Sequence, residues 1–275
     1  MTLDELRKCK YAVTHAGTFH ADDIFGAAFL KLIVPDIEII RTNEKPKVSN
    51  YIMFDIGMGE FDHHMASNEC RSDKTPYAAF GKLWRHFAPY LYDEKIVKKI
   101  DNAFIKHLDL SDNTGVYDSL CYAFASFNPL EDNEIGDKEF MECVSFAKRI
   151  LENLIRKEMN HLEEEKYVIE KYNTSLDKRV LVLDKHAYFK DFLPFKETIY
   201  VVYPSKRGGY SAQGVSKSPD TVELKKPFPE EWTHELPEGL RFCHNSRFLI
   251  AADTLEDIMK FVYEALDKYS FFLIL

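Results

Sequence analysis

The hydrophobic pattern of the first sixty residues alternates between strand-like and helix-like spacing. Residues 9–15 (CKYAVTH) read as a buried strand, followed by the small-residue turn AGTF. In residues 21–34 the apolar side chains recur at helical spacing up to a stop near Pro35. Two further strands are predicted at residues 37–42 (IEIIRT) and 51–57 (YIMFDIG). This order of strands and helix predicts a parallel α/β sheet with right-handed crossovers.

Helical spacing dominates the next hundred residues. The segment PYAAFGKLWRHF predicts a helix with Pro76 near its first turn. Residues 93–115 predict another helix, because apolar side chains recur there at every fourth position, at Ile96, Ile100, Phe104 and Leu108. Residues 137–167 are highly charged and helical in pattern, and we expect them to bridge two domains.

After residue 178 the pattern changes to short strand-like runs separated by turns. The runs are RVLVLD, TIYVVYPS, YSAQGV, LRFCHN and FLIAAD, and the amphipathic helix TLEDIMKFVYEAL follows with Thr254 as its N-cap. We expect a first domain at residues 1–170, with helices flanking its parallel sheet, and a smaller α/β domain with a mixed sheet at residues 171–275. The apolar ending YSFFLIL is too short to span a bilayer and reads as a buried strand or a packing tail.

The charge and cysteine content narrow the classes of function. The net charge of −9 argues against sequence-independent binding of duplex nucleic acid, which needs a basic face. It does not exclude a local phosphate site, because bound divalent cations can supply positive charge. The five cysteines form no CxxC pair, and no signal-peptide pattern is evident, so we expect reduced thiols in the cytoplasm.

Four clusters of acids and histidines stand out in the first half of the chain. In chain order their members are His15, His20, Asp22 and Asp23; Asp55; Asp62, His63 and His64; and Asp109 and Asp112. In an open parallel sheet, ligands bind outside the carboxyl ends of the strands. Two of these residues, His15 and Asp55, follow predicted strands directly. We therefore expect the clusters to converge on one rim of the sheet.

Such convergence points to bound metal. Carboxylates a few ångströms apart repel one another and raise each other's pKa, a conflict that a divalent cation removes. Imidazole with carboxylate suits Mn²⁺, Fe²⁺, Co²⁺ or Zn²⁺, whereas Mg²⁺ and Ca²⁺ prefer all-oxygen sites. The candidates outnumber the ligands of one ion, which indicates two ions about 3.5–4 Å apart with Asp55 as the bridge. Two-metal sites hydrolyse phosphoesters and phosphoanhydrides.

Each cluster also has a structural explanation when it is taken alone. Asp22 can be an acid favoured by the dipole at the start of its helix. Asp109 or Asp112 can close a helix, and His15 can be a hydrogen-bonded residue at a strand end. The adjacent residues 62–64 (DHH) are harder to explain, because consecutive side chains of an extended chain face opposite ways. The joint pattern therefore favours a site.

The segments THAGTFHADD, FDIG, FDHH and LDLSDNTG resemble, in this order, the successive motifs of the DHH phosphoesterase superfamily. The chain is still more similar to the MYG family, because VVYPSKRGGYSAQGV, KPFPEEW and LPEGLRFCHNSRFLIAADT also resemble segments of that family. The resemblance covers nearly the whole chain. It implies an N-terminal DHH domain, a C-terminal substrate-binding DHH-associated-like domain, a dinuclear manganese-type centre and 3′-5′ RNA exonuclease activity.

The resemblance also implies roles for individual residues. One ion would be held by His15, His20 and Asp55. The other would be held by Asp22, Asp55, His63 and an acid of the fourth motif, either Asp112 or, slightly less favoured, Asp109. His64 would face the scissile phosphate. The catalytic residues would then be His64, Asp55 and Asp62. The superfamily usually has aspartate where His20 stands, so the metal that this protein prefers can differ from the metal that its relatives prefer.

Two positions depart from the family pattern. Asp23 replaces the usual glutamate, and Ala16 stands where MYG proteins usually have asparagine. Neither change removes a ligand of the implied set.

In the second domain we expect contacts to phosphate or base from Arg207, Gly208, Gly209, His244 and Arg247. The RGG run offers a positive charge and backbone N–H groups that can approach an anion closely. The structural alternatives are a hairpin turn with a solvated arginine for RGG, and a polar residue ending a strand for His244.

The sequence thus predicts a metal-dependent phosphoesterase, acting as a 3′-5′ exonuclease on single-stranded RNA or short oligonucleotides. Two divalent ions are expected as cofactors, with Mn²⁺ as first choice and Mg²⁺, Co²⁺ or Zn²⁺ as alternatives. Hydrolysis of a small nucleotide or pyrophosphate is an alternative function that the same site would serve. A non-catalytic nucleotide-binding regulator is a further alternative, against which the complete ligand set counts. No membrane partner is expected, and the oligomeric state, including a homodimer, is left open.

Overall fold

The computed structural model describes residues 1–64, 69–130 and 136–267. The chain divides into two compact units, Met1–Met159 and Asn160–Leu275. The C-terminal segment YSFFLIL, for which a strand or packing tail is predicted, lies outside the described residues, as do residues 65–67 of the FDHHMAS stretch.

The first unit is built on a three-stranded parallel sheet. Its strands are β1 (Tyr11–Thr14), β2 (Glu38–Arg41) and β3 (Tyr51–Met53), in the order β2-β1-β3. Both neighbours pair with β1 in parallel, which confirms the parallel sheet predicted from the sequence. Because β1 is central and its carboxyl end is flanked on both sides, the rim beside it is where this fold places a ligand.

Seven α-helices belong to or begin in the described residues of the first unit. They are α1 (Leu3–Leu6), α2 (Ala21–Ile33), α3 (Ala79–Phe87), α4 (Glu94–Ile100), α5 (Lys106–Thr114), α6 (Ser119–Ala125) and α7 (Asp137–Thr174), with a 3₁₀ turn at Ala88–Tyr90. Rings from α2 and α3 form the aromatic centre of the core. Phe25 stacks on Phe80 with ring centroids 5.6 Å apart, and Phe29 meets Trp84 at 5.1 Å. The division between the two units falls within α7.

Two helices differ in detail from the sequence prediction. The helix α3 begins at Ala79, so that Pro76 precedes it instead of lying in its first turn. The single helix predicted over residues 93–115 is interrupted by a π-helical turn, Asp101–Ile105, between α4 and α5. Each extra residue in a π turn rotates the following positions by about 100°. The apolar spacing continues across the turn and therefore does not reveal it.

The second unit contains a five-stranded mixed sheet. Its strands are β4 (Val180–Val182), β5 (Tyr200–Pro204), β6 (Tyr210–Gly214), β7 (Leu240–Cys243) and β8 (Leu249–Ala252) in the order β4-β5-β6-β8-β7, with 3₁₀ turns at Leu193–Phe195 and Glu230–Thr233. Only β4 and β5 pair in parallel, and the other pairs are antiparallel. The mixed sheet predicted for this part of the chain is confirmed.

Alternate residues of the central strands bury both faces of this sheet. Tyr200 and Val202 pack into one core, which the helix α8 (Leu255–Asp267) covers through Phe261. Val201 packs into the other core together with Val168 of α7. The predicted N-cap of α8 is confirmed, because the hydroxyl of Thr254 accepts a hydrogen bond from the backbone N–H of Asp257 at 3.0 Å. No helix in the described parts of the chain has the length and apolarity needed to cross a membrane.

We predict that Gly81→Ala destabilises the first unit. A Cβ at Gly81 would lie 1.9 Å from Oδ2 of Asp109, a fully buried carboxylate oxygen that is 2.6 Å from Nη2 of Arg71. The helix propensity of alanine contributes about 1 kcal/mol, but breaking a buried ion pair costs about 3–5 kcal/mol. We expect the free energy of unfolding in urea to fall by roughly 2–4 kcal/mol.

Gly59→Ala is the matched control, because nothing lies within 4 Å of a Cβ built at Gly59. Its urea midpoint should stay close to that of the wild-type protein. An unchanged or raised midpoint for Gly81→Ala would mean that Asp109 can move at no cost, and would contradict the fixed position described here.

Candidate metal centre

The register of β1 and β3 brings two candidates together at the rim of the sheet. Val13 pairs with Met53, so that two residues further along each strand His15 and Asp55 leave the sheet side by side. Nε2 of His15 lies 3.3 Å from Oδ2 of Asp55 and 3.3 Å from Oδ2 of Asp23. The convergence expected from the carboxyl ends of parallel strands is present at these residues.

A strained turn after β3 joins the second cluster to the third. Asp55 has φ of 56°, in the left-handed region that residues other than glycine seldom adopt. Its backbone N–H donates to the carbonyl of Phe61 at 3.0 Å, which closes a loop. The loop returns His63 to the rim, with Nε2 of His63 3.0 Å from Oδ1 of Asp55. The strain thus occurs at the residue through which the clusters meet.

Asp22 holds a helix other than its own. Its two carboxylate oxygens accept hydrogen bonds from the backbone N–H groups of Ala79 and Phe80, each at 2.8 Å. These groups start α3, whose N-cap residue Ala78 provides no side-chain cap. The carboxylate therefore lies at a helix N-terminus, where anions are stabilised, and Oδ2 is also 4.0 Å from Nε2 of His63.

Within the described part of the chain, three overlapping sets of side chains have ligand atoms within 4.8 Å of one another. The sets are Asp55, His63 and His64; His15, Asp23 and Asp55; and Asp22, His63 and Asp112. Asp55 belongs to two of them and so does His63. The overlap gives an arrangement in which a cation in one set would share ligands with a cation in the next.

Hydrogen bonds at the far side of both imidazole rings leave Nε2 directed at the carboxylates. Nδ1 of His15 is 3.3 Å from the carbonyl oxygen of Ala16, and Nδ1 of His63 is 3.2 Å from Oδ1 of Asn113. Each partner oxygen can only accept, so Nδ1 carries a hydrogen, and each ring presents the lone pair of Nε2 when it is neutral. Asn113 is fixed in this role, because its amide nitrogen donates to the carbonyl of Asp109 at 2.9 Å.

Burial and mutual repulsion shift the ionisation of the centre. Burial raises the pKa of Asp22, and the charges of Asp55, Asp112 and Asp109 raise it further. Burial also raises the pKa of Asp112, although the nearby His63 opposes the change. The shifts show that this protein environment does not supply enough positive charge for all of its carboxylates.

In His15, His63 and Asp55 the surroundings favour the charged form instead of the neutral one. Burial lowers the pKa of His15, but the hydrogen bond to Asp55 and the charges of Asp23 and Asp55 outweigh it and raise the pKa to about 9. Burial would raise the pKa of Asp55, but the imidazole rings of His15 and His63, which act as donors and positive charges when protonated, lower it to about 2. Protonated imidazole thus supplies part of the positive charge that the carboxylates need, mainly for Asp55.

Two buried oxygens test whether these residues fit a cation. Oδ2 of Asp23 and Oδ1 of Asp55 are buried and accept no hydrogen bond as long as the imidazole rings 3.0–3.3 Å away are neutral. Buried acceptors are normally satisfied. Here the unsatisfied atoms face the Nε2 positions of the rings, and a cation between them would satisfy both sides. The residues therefore fit a divalent ion with mixed nitrogen and oxygen ligands.

Asp109 and Asp112 have different surroundings. Oδ2 of Asp112 is 3.2 Å from Nε2 of His63, inside the third ligand set. Asp109 is fully buried, and its Oδ2 accepts from Arg71, which also binds Asp101 at the start of the π turn. Oδ1 of Asp109 has no hydrogen bond, but among the described residues Asp109 joins none of the ligand sets.

The position that the resemblance implies for His20, beside His15 and Asp55, is taken by Asp23 among the described residues. The His20 side chain is exposed, with its ring centroid 6.2 Å from that of His15, and it is absent from the ligand sets found among the described residues. Asp23 takes the position beside His15 and Asp55. Oδ1 of Asp23 also accepts from the backbone N–H of His20 at 2.9 Å, which fixes the start of α2.

Asp62 and His64 act as a pair. Oδ1 of Asp62 lies 2.8 Å from Nδ1 of His64 and accepts from the His64 backbone N–H at 3.1 Å. Oδ2 of Asp62 accepts from the backbone N–H of Met58 at 2.6 Å. Both oxygens are therefore engaged in holding the turn and the ring. The His64 side chain is 61% exposed and lines the cavity in front of the ligand sets.

The turn between β5 and β6 holds three of the candidates in the second unit. Gly208 and Gly209 have positive φ, and a Cβ on Gly209 would lie 2.3 Å from the carbonyl oxygen of Ala252. Arg207 is exposed, and the carbonyl of Gly208 accepts a hydrogen bond from Arg241 at 2.6 Å. The turn has the geometry of a tight hairpin, and it lies beside an arginine that the sequence did not single out.

The other two candidates, His244 and Arg247, lie in the turn between β7 and β8. From there β8 runs towards Ala252, the partner of Tyr210 beside the first turn, so that a four-residue strand separates the groups by about 13 Å. Arg247 is 3.3 Å from a carboxylate oxygen of Glu230. The five candidates of this unit therefore form two groups at opposite ends of one sheet.

Comparison with known proteins places these features in a family context. The sequence model of the MYG1 exonuclease family, described as an uncharacterised protein family (UPF0160), matches residues 11–266. The MYG1 protein of Schizosaccharomyces pombe is 25% identical over 92% of this chain and 96% of its own length. The MYG1 protein of Chlamydia trachomatis is 26% identical, over 88% of this chain and 92% of its own. The MYG1 exonuclease of Homo sapiens is 24% identical, over 94% and 86%. No solved structure matches the chain at a significant level.

We predict that Asp112→Asn and Asp109→Asn have different effects. Replacing Asp112 removes a carboxylate next to His63, and the affinity of chelator-stripped protein for Mn²⁺ should fall about 100-fold or more. Replacing Asp109 removes the fully buried one of the two carboxylates that bind Arg71 and leaves Asp101 as its partner. The free energy of unfolding should fall by about 3 kcal/mol while the Mn²⁺ affinity of the folded protein changes little. Competition with a fluorescent chelator gives the affinities and urea denaturation the stabilities. Equal losses of Mn²⁺ affinity in both variants would assign Asp109 to the centre as well.

We also predict that Asn113→Ala weakens metal binding without unfolding the protein. Loss of the amide frees the His63 ring to turn or to change tautomer, and partners of this kind contribute about 10–100-fold to metal affinity. The same chelator competition should show a Kd for Mn²⁺ raised within that range. Asn102→Ala, at an exposed position of the π turn, is the matched control and should bind like the wild-type protein. An unchanged affinity in Asn113→Ala would show that His63 is held by other contacts.

Proposed function

This chain belongs to the MYG1 exonuclease family, and we propose that it is a metal-dependent phosphoesterase that removes nucleotides from the 3′ end of single-stranded RNA or short oligonucleotides. Two divalent ions, with Mn²⁺ as the preferred metal, would occupy the rim of the first sheet. The names of the human and other mammalian relatives support the exonuclease part of the proposal. The nitrogen and oxygen ligand sets support the metal part.

The observation that carries the proposal is the sharing of Asp55 between two ligand sets. Asp55 offers one oxygen to His15 and the other to His63, each within 3.3 Å. A carboxylate placed between two sets of ligands is the feature expected of a bridge in a two-metal site. The strained backbone of Asp55 supports the same assignment, because such strain is retained mainly at functional positions.

The geometry favours a revised set of ligands. One ion would be held by His15, Asp23 and Asp55, with the exposed His20 at the edge of the same cavity. The second would be held by residues from four different segments of the chain, namely Asp22, Asp55, His63 and Asp112. When bound, such ions lower the pKa of a water molecule and stabilise negative charge on phosphoryl oxygens.

The protein itself supplies orientation and a hydrogen-bond donor. Asn113 and the carbonyl of Ala16 hold the two imidazole rings in the tautomer that presents Nε2. Asp62 holds the ring of His64, whose exposed edge faces the cavity and would donate to a phosphoryl oxygen as charge develops there. The cavity has a volume of about 1090 Å³, which is at the upper end of small-molecule sites and supports a substrate larger than pyrophosphate.

We predict that the purified protein, stripped with chelator and supplied with Mn²⁺, shortens a 5′-labelled single-stranded RNA from its 3′ end. Asp55→Asn and His63→Ala should each reduce the rate at least about 1000-fold, because each residue belongs to two ligand sets. The products are resolved as a ladder on a denaturing gel.

Exposed residues of the same types serve as controls. Asp36→Asn and His107→Ala lie outside the cavity and should keep the wild-type rate. Phosphate release from small nucleotides without shortening of the RNA would keep the metal centre and move the function to metabolite hydrolysis. Binding of nucleotides with no hydrolysis of either substrate would favour the non-catalytic regulator.

A further inference from the structure

Two exposed tyrosines line the same cavity as the metal-ligand candidates. Tyr117 is 73% exposed and Tyr122 is 69% exposed, in a unit whose other large aromatic side chains are mostly buried. Both rings line the cavity together with His63 and Asp112. Single exposed tyrosines are common, but a pair beside a charged centre in one cavity suits a ligand with both a polar and a flat apolar part.

Two helix caps fix the position of the pair relative to the centre. The helix α5, which carries Asp112, ends at Gly115 in the left-handed conformation, with φ of 70°. The carboxylate of Asp118 then accepts from two backbone N–H groups and starts α6. Tyr117 lies in the short link between these caps, and Tyr122 lies in the first turn of α6. The rings therefore lie on defined elements five and ten residues after Asp112.

The geometry of the rings leaves their faces available. Their centroids are 5.9 Å apart and their planes are inclined by 48°, which is within the range of favourable aromatic pairs. Each ring supports the other at one side while more than two thirds of each residue remains exposed. Val116 and Ala125 extend the same apolar wall of the cavity. A flat ligand can stack on this wall with little rearrangement.

We infer that Tyr117 and Tyr122 form a stacking platform for the base of the nucleotide whose phosphate lies at the metal centre. The inference deepens the proposed function and rests on it, because it assumes that the ligand is a nucleotide. Aromatic side chains bind the faces of all four bases, so that the platform selects a nucleotide over a bare phosphate without reading its sequence. The cavity, at about 1090 Å³, has room for phosphate, sugar and base together.

The test compares two ligands that differ only in the base. Adenosine 5′-monophosphate and ribose 5-phosphate are titrated by calorimetry into the wild-type protein loaded with Mn²⁺. We expect the wild-type protein to bind the nucleotide more tightly. Tyr117→Ala and Tyr122→Ala should each raise the Kd of the nucleotide about 5- to 150-fold, the range measured for loss of one base–aromatic stack. The Kd of ribose 5-phosphate should stay within about twofold.

Two kinds of variant separate stacking from other effects of the substitutions. Tyr117→Phe and Tyr122→Phe keep the aromatic face and should bind the nucleotide like the wild-type protein. Tyr90→Ala removes a tyrosine of similar exposure, 70%, that lies outside the cavity, and it should change neither affinity.

The binding experiment and the RNA assay can fail independently. RNA hydrolysis without any preference for the nucleotide over ribose 5-phosphate would overturn the platform and leave the proposed function standing. A preference lost in the alanine variants, in a protein that does not shorten RNA, would keep the platform and overturn the exonuclease. Equal weakening of both ligands in the alanine variants would assign the tyrosines a structural role and also overturn the platform.

Discussion

The structure of the first unit depends on an excess of buried negative charge at one rim of a small parallel sheet. Five aspartates there are buried, with exposures of 3% or less, namely Asp22, Asp23, Asp55, Asp62 and Asp109. Burying an unpaired carboxylate costs several kcal/mol, so each must find a hydrogen-bond donor, a cation or a proton. The way in which each of the five is compensated separates the residues that support the site from those left for a ligand.

Three of the five receive a guanidinium or backbone N–H groups from the protein. Asp109 has the guanidinium of Arg71, Asp22 has the first N–H groups of α3, and Asp62 has the N–H groups of its own turn. Asp23, Asp55 and Asp109 each keep a buried oxygen without a hydrogen bond. The main neighbours of Asp23 and Asp55 are imidazole rings, whereas Asp109 pairs with Arg71. The protein thus stabilises Asp109 and Asp62 by itself, whereas Asp22, whose pKa stays raised, Asp23 and Asp55 are left to groups that can exchange a proton for a metal ion.

The sequence was sufficient for the strands, most helices and the rim at which His15, Asp55 and His63 meet. Strand ends can be located by composition, and parallel register then fixes which residues meet across β1 and β3. It was insufficient for Asp109 and Asp112, because positions three apart on a helix share a face and only Arg71, thirty-eight residues upstream of Asp109, separates their roles. The exposed position of His20, the π turn and the two ends of the second sheet likewise depend on tertiary packing.

The compensation of charge also links folding to metal binding. Without a cation the centre needs protonated imidazole to offset Asp23 and Asp55, and it keeps a left-handed Asp55 that costs of order 1–3 kcal/mol. A ligand that binds only the folded chain offsets such costs, because it adds about 2.7 kcal/mol of stability at a concentration 100 times its Kd. With too few cationic side chains at this rim, the unit is therefore stable enough to fold alone and still gains stability when it binds a metal ion. That balance accounts for the presence of strain and unsatisfied oxygens at the same residue that two ligand sets share.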